Sequence, residues 1–431
     1  MRQLFRRALA LSAAVTLSGG VLAACGSSDD TGGNGSDGGP IELTIGTFTE
    51  FGYEDLLEEY QRLNPNIKIK HNKTGQGGPY HQQLFTKLGA GSGLEDVVAI
   101  EEGHLSDVMA KASLFNNLLE IGPKDVTADR WLDWKSQQAT TKDGKLIGYG
   151  TDIGPLAMCY RKDLFEAAGL PSDPEGVKPL FETWDSYFAA GDQFIAKSDA
   201  AWYDANAQIF NAMHNQLPVG FFDTSDQLVI ETNADIKANW DKVTAASGRG
   251  QSAGLVAFSN EWNSGFKSGA FATKTCPSWM LGVIKNQAGP ENKGKWAVTD
   301  AFPGGGGNWG GSFLAVPTQS KHPQEAAKLA AWLTAPEQQI KAFGKTGNFP
   351  SQKAAQTAPE LLEKTDDYFG VKAGELFAKQ AAKVGQAQYK GPGDGRIQEN
   401  VTSPALQSVE QGTSPADAWA QVVDGATKIA K

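Results

Sequence analysis

Histidine, cysteine and methionine are scarce in this chain of 431 residues, with five, three and five copies respectively. There is no Cys-x-x-Cys and no His-x-x-x-His, so a metal centre has little to build on. No basic stripe with interleaved aromatics occurs, which argues against a nucleic-acid partner. The longest apolar stretch lies near the start, is broken by Gly19 and Gly20, and falls short of the roughly 20 residues that a membrane-spanning helix needs. Gly304 to Gly307 are followed by Asn308-Trp309-Gly310-Gly311, without the Lys-Ser or Lys-Thr that a phosphate-cradling loop requires. That run is read as a flexible crossover. Nothing in the sequence implies a cofactor or a catalytic group.

What is present begins with Arg2, Arg6 and Arg7, an apolar run from Ala8 to Val21, and Leu22-Ala23-Ala24-Cys25. A positive start, a short apolar region and small residues before a cut make an export signal. A Cys directly after Leu-Ala-Ala resembles a bacterial lipobox, which implies lipidation of Cys25 and its exposure as the new N-terminus. Residues 1–24 are then a signal peptide, and the mature chain is tied to the outer face of the cell membrane. Residues 25–40 are Gly-, Ser- and Asp-rich with no large apolar side chain, too little to offset ordering entropy, and read as a flexible tether. Removing the three arginines takes the net charge from −10 to about −13.

The segment from Ile41 onward is long enough for two domains. Ile41, Leu43 and Ile45 alternate as in a strand, while Leu56, Leu57, Tyr60 and Leu63 form a helical stripe ended by Asn64-Pro65. Strand at Ile67 and Ile69, helix over Tyr80–Leu88 and strand over Asp96–Ile100 continue an α/β alternation. A second such region starts near Leu156: strand at Met158–Tyr160, helix from Lys162, a helix capped by Thr183, strand over Phe271–Cys276 and helix over Met280–Ile284. Phe313–Val316 reads as strand and Pro323–Leu333 as helix, with helical pattern from Gln352 to the end. Cys159 and Cys276, in an exported chain, allow one disulfide. The 11 tryptophans and 21 phenylalanines supply core and, in part, a surplus suited to covering the apolar face of a sugar ring.

An ordered set of segments carries a resemblance. Gly150-Thr151-Asp152-Ile153-Gly154-Pro155-Leu156 precedes Tyr160-Arg161-Lys162-Asp163-Leu164-Phe165. Gly269-Ala270-Phe271-Ala272 leads to Ser278-Trp279-Met280-Leu281-Gly282. Pro323-Gln324-Glu325-Ala326-Ala327 leads to Trp332-Leu333-Thr334, and Gly347-Asn348-Phe349-Pro350 follows. Together they resemble the extracellular solute-binding proteins of sugar ABC importers, the family related to maltose-binding protein. The resemblance implies an α/β fold of two lobes, each a mostly parallel sheet flanked by helices, joined by three hinge crossings near Gly150–Pro155, Gly304–Gly311 and Asn348–Ser351. The N-lobe is then 41–150 plus 311–349 and the C-lobe 151–310 plus 350–431. By the family's topology Cys159 and Cys276 lie on neighbouring strands and form the disulfide.

The implied function is that of a monomeric, membrane-anchored receptor that captures an oligosaccharide in the interlobe cleft by hinge closure and hands it to an ABC permease. The family position after the C-lobe strand makes Trp279 the stacking aromatic, with Trp309 in the glycine-rich crossing and Trp262 in the polar, loop-like Asn260-Glu261-Trp262-Asn263 as further candidates. Glu50 and Glu101 at strand ends and Asp152 on a crossing are candidate hydroxyl partners, since a charged partner strengthens a hydrogen bond. Neighbouring strand residues face opposite ways, so Glu101 is chosen over Glu102. Tyr80, Asn206 and Arg396 are carried over by approximate position, and Tyr389–Pro392 resembles a cleft-lining loop. Thr275-Cys276-Pro277-Ser278-Trp279 with Asn308-Trp309-Gly310-Gly311 looks most like cellobiose and cello-oligosaccharide binders, close relatives of xylobiose and chitobiose binders. The alternatives are a binder of a non-sugar solute and an exported glycosidase, which would need two carboxylates about 5–9.5 Å apart.

Overall fold

Eleven short strands and the helices between them organise residues 39–431, the part of the chain that the structure, a computed structural model, describes. The signal segment and Cys25 lie outside the described residues. The strands are β1 (Ile41–Phe48), β2 (Ile67–Thr74), β3 (Val97–Glu101), β4 (Gly148–Gly150), β5 (Asp152–Ile153), β6 (Leu156–Arg161), β7 (Ala201–Tyr203), β8 (Phe271–Pro277), β9 (Trp296–Thr299), β10 (Ser312–Ala315) and β11 (Phe349–Pro350). They form a five-stranded sheet in the order β2-β1-β3-β10-β4, a four-stranded sheet in the order β7-β8-β6-β9, and a two-stranded ribbon of β5 and β11.

Both large sheets are mixed, which corrects the expectation of mostly parallel sheets. β2, β1 and β3 run parallel, but β10 lies antiparallel to both β3 and β4. In the second sheet β7 and β8 are parallel, and β6 opposes both β8 and β9. The cause is the route of the chain. β6 and β10 each follow a crossing, so each starts at the junction and runs away from it, against strands that end there.

The central strands are buried almost continuously, on both faces. Leu43 and Ile45 of β1, Val97 to Ile100 of β3 and Phe313 to Ala315 of β10 share one core with helix Glu54–Leu63 and helix Pro323–Leu333. Leu63, expected on the buried stripe of its helix, is exposed, because the helix ends there and Leu56, Leu57 and Tyr60 fill the interface. β6 is buried throughout, as a strand covered on both faces must be. Its Leu156, Met158 and Tyr160 enter one core and its Ala157 and Cys159 another. Cys159 and Cys276 form a disulfide between β6 and β8, with Cα atoms 5.5 Å apart.

Helix Trp184–Ile195 is opened by a reciprocal cap: Thr183 Oγ1 accepts from the Ser186 amide, and Ser186 Oγ accepts from the Thr183 amide. The last helix, Pro415–Ala430, buries Ala418, Val422 and Ala426 at a spacing of four. Among the described residues no helix is long and apolar enough to cross a membrane.

The three segments expected to cross between lobes lie side by side. β5 pairs antiparallel with β11, and Pro155 bridges to Asn308. Their packing is close enough to require glycine: a Cβ on Gly154 would sit 1.9 Å from the Trp309 carbonyl oxygen. Ile340 and Phe343, assigned from sequence to the N-lobe, pack against the Phe349–Phe377 core on the other side of the junction.

Candidate functional site

Strand ends converge on one place. β1, β3, β4, β7 and β8 all finish at the junction, and the residues at or after their ends, Thr49, Glu101, Asp152, Ala205 and Trp279, line a cleft of about 650 Å³. Ligands of open α/β folds bind outside the carboxyl ends of strands, and pockets of this volume suit small molecules.

Trp279 and Trp309 meet at a right angle in this cleft, with ring centroids 6.0 Å apart and an interplanar angle of 86°. Trp279 Nε1 donates to the Trp309 carbonyl at 3.2 Å, which fixes the corner. Behind Trp309 the Lys274 ammonium lies 5.7 Å from the ring centroid. Lys274 is fully buried, pairs with Asp204 at 2.9 Å and donates to Gln208 Oε1 at 2.7 Å.

Asp152 is held by two hydrogen bonds. Its Oδ1 accepts from the Ser312 amide at 2.9 Å and from Thr151 Oγ1 at 2.5 Å. Burial raises its pKa, against the pull of the Lys135 ammonium. Lys135 is wholly buried over the Phe313 ring, 3.8 Å from its centroid, and burial pushes it down to about 8 despite Asp152, Glu102 and Glu101 around it.

Glu101 caps the helix that follows it by accepting from the Gly103 amide at 2.8 Å, and burial raises its pKa too. Glu102 points elsewhere: it is buried and pairs with Lys390 at 2.9 Å. Glu50 lines the cleft at an exposed edge, in an ion pair with Lys73 at 2.8 Å. Thr49 beside it takes a φ of 47°, the strained left-handed region.

Four sequence candidates fall outside the cleft lining. Trp262 is 0% exposed, with its Nε1 donating to Asp204 Oδ2 at 2.7 Å, so it has no face to offer a ligand. Tyr80 is a core residue whose hydroxyl donates to the Gly46 carbonyl and accepts from the Ala99 amide. Asn206 is buried at a helix start, where its Oδ1 accepts from the Tyr203 hydroxyl and its backbone N–H donates to Glu410. Arg396 lies at the surface, in an ion pair with Asp107 at 3.2 Å. Lys390, in the segment resembling a cleft-lining loop, does line the cleft.

Sequence reasoning missed several lining residues. Val256 and Phe258 are 47% and 44% exposed, and Phe258 holds a φ of 65°. Exposed apolar side chains beside a cavity, one on a strained backbone, mark an apolar wall. His214, Gln388 and Glu410 also line the cleft. Six carboxylates in all do so (Glu50, Glu101, Asp152, Asp394, Glu399 and Glu410), against one ammonium, Lys390. Among the described residues no group of His, Cys, Asp and Glu is arranged to hold a metal ion.

The lobes touch beside the cleft. Ser106 Oγ donates to the Gly391 carbonyl at 2.7 Å, and His104 Nε2 lies 3.2 Å from Glu399 Oε1. Together with Glu102–Lys390, these contacts join helix Glu102–Met109 to the Lys390–Glu399 segment.

Comparison with known proteins agrees with this architecture. A crystal structure described as an extracellular solute-binding protein of family 1 superposes with a TM-score of 0.81 at 48% identity, covering 91% of this chain and all of that one. An ABC-transporter-associated binding protein from B. animalis subsp. lactis Bl-04, in complex with β-1,6-galactobiose, superposes at 0.76 with 23% identity, covering 90% and 98%. The arabinooligosaccharide-binding protein of Bacillus subtilis strain 168 is 27% identical over 373 residues, 81% of this chain and 82% of that protein. The family profile described as bacterial extracellular solute-binding protein matches residues 55–368. Two lobes, a cleft at the strand ends and this match agree: the chain belongs to the bacterial extracellular solute-binding proteins.

Proposed function

We propose that the protein is the capture component of an ABC importer for an uncharged oligosaccharide, anchored outside the cell through Cys25. The observation that carries this reading is the corner of Trp279 and Trp309 set among buried carboxylates in the cleft. A ring face covers the apolar face of a pyranose or furanose, and anchored carboxylates such as Asp152 accept from hydroxyls. The cleft's ammonium, Lys390, is engaged by Glu102 and by Asn215 Oδ1 at 3.0 Å, which leaves an anionic ligand poorly served. Ligand closes the lobes in proportion to its preference for the closed over the open state. The relatives reported above are binding proteins, which favours capture without cleavage over a glycosidase.

Two sugar classes are supported. The Thr275–Trp279 and Asn308–Gly311 segments favour cellobiose or cello-oligosaccharides. The named ligand of the B. subtilis relative favours arabino-oligosaccharides. Calorimetric titration of residues 26–431 with cellobiose, cellotriose, arabinotriose, xylobiose and chitobiose tests the reading. Micromolar or tighter binding, about −8 kcal/mol, to one series supports it and names the sugar. No heat and no thermal shift with any of them would overturn the oligosaccharide assignment.

A further inference from the structure

The cleft has a corner that the tryptophans do not use. His214 ends helix Asn206–His214, lines the cleft and is 3% exposed. Its ring lies against Phe221, centroids 4.2 Å apart at 26°, and near-parallel to Phe210 at 5.7 Å. This packing fixes the ring plane. Yet neither ring nitrogen has a hydrogen-bonding partner in the protein.

Gln388 stands beside it, also lining the cleft. Its Nε2 donates to the His214 carbonyl at 2.5 Å, which aligns the amide, while its Oε1 has no partner. Three unpartnered polar atoms in one buried corner are costly, because each has lost water without replacement. A histidine serving only to pack on Phe221 would do better as phenylalanine.

The corner's chemistry selects its ligand. Burial, reinforced by the Lys390 ammonium, holds His214 down at about 3, so the ring is neutral and carries one donor and one acceptor. Gln388 Oε1 adds a second acceptor. A hydroxyl is both donor and acceptor, so adjacent hydroxyls match this set. A carboxylate finds one donor and two repelling acceptors, and an ammonium finds a donor in its way.

The corner also has a defined place. Asn215, next in sequence, accepts from Lys390, which crosses to Glu102 where the lobes meet. It therefore stands beside the contact that joins the lobes, which bounds the cleft on that side.

We propose that His214, with Gln388 Oε1, is a specificity-determining site that binds adjacent hydroxyls at one terminus of the captured oligosaccharide. The inference rests on the oligosaccharide reading above and adds a fixed register: one end is held by the imidazole while the chain runs to the Trp279–Trp309 corner.

The test uses H214F, which keeps an aromatic ring on Phe221 and removes both nitrogens, and H214Q, which restores a donor and an acceptor. Cellotriose and arabinotriose are titrated into wild type and both variants. For the sugar that wild type binds, H214F should weaken affinity about tenfold or more, with an unchanged or higher melting temperature, and H214Q should fall between. O-methylation of the sugar's terminal hydroxyls should weaken binding to wild type and add little in H214F. Should H214F fail to fold, the chain's five histidines permit a direct reading: with ¹⁵N-labelled histidine, assigned by H214Q, saturating sugar must shift the His214 ring nitrogens. Wild-type binding with H214F affinity within about twofold, or unshifted His214 nitrogens at saturation, would overturn this site and leave the oligosaccharide reading standing. A wild type that binds neither sugar and none of the others overturns both.

Discussion

Replacing Trp279 by alanine separates a tryptophan that meets ligand from one that only packs. The ring lines the cleft, and one edge is already held by Trp309, through the 86° contact and the 3.2 Å hydrogen bond. The ring is partly exposed there, so it has surface to offer a sugar. A buried aromatic covers 150–250 Å² in all, so one face contributes about 80 Å². At about 25 cal/mol per Å² this is about 2 kcal/mol, or about a thirtyfold rise in Kd. Trp309→Ala made in the Trp279→Ala background should cost less than in wild type, because the two rings support each other. Trp262→Phe is the control. It removes the bond to Asp204 Oδ2, the carboxylate oxygen that also pairs with the Lys274 ammonium, and a hydrogen bond to a charged group contributes about 1.5–3 kcal/mol. Its melting temperature should fall by several degrees while its Kd stays put. Calorimetric titration and thermal unfolding of the variants give both quantities. The argument is refuted if Trp279→Ala binds within about twofold of wild type at intact stability, or if Trp262→Phe loses as much affinity as Trp279→Ala.

Three further outcomes follow from the structure. Replacing Cys159 and Cys276 together by alanine opens a loop closed across 117 residues, which in the chain-entropy account costs up to about 5 kcal/mol, and denaturant unfolding should show a loss of about 2–5 kcal/mol. Glu410 is held up at about 7, chiefly by burial and against hydrogen bonds from Ser252 and the Asn206 amide. Its native proton therefore contributes stability that is complete below its ordinary pKa of about 4.5 and is lost as pH rises through 7, up to about 3 kcal/mol. Wild type minus Glu410→Gln, measured by urea unfolding from pH 4.5 to 8, should show that decline, and parallel curves would contradict it. A uronate-substituted version of the bound sugar should bind at least about tenfold more weakly than the neutral one at pH 8, since six carboxylates and one engaged ammonium face it; equal affinity would remove the charge argument.

The strand ends were legible in the sequence because alternation fixes where a strand stops, and a stop beside a glycine-rich crossing is where a cleft forms. Glu101, Asp152 and Trp279 stand at such stops and do line the cavity. The misplacements have equally local causes. Trp262 follows Asn260 and Glu261, whose polarity suggests a loop. Those residues instead occupy the outer turn of a helix capped by Ser259, and Trp262 with Phe266, four apart, is its inward stripe. Tyr80 likewise shares a buried stripe with Leu84 and Leu88. Periodicity sends both rings to the core, against the polar neighbours that placed Trp262 in a loop and the approximate family position that carried Tyr80 to the cleft.

No such local signal exists for His214, Gln388 or Phe258. Phe221, against which His214 stacks, follows it by seven residues, but Gln388, which aligns beside it, comes 174 residues later. A ligand-facing corner assembled from segments so far apart is a property of the folded cleft. The chain there carries no pattern except a histidine on a buried helix that also holds Asn206 and Gln208. What makes that histidine informative is the pair of unsatisfied nitrogens, and satisfaction can be judged only once every neighbour is in place. The elements that build the cleft are thus written in short-range periodicity, while the groups that choose its ligand are written in what that periodicity leaves unpaired.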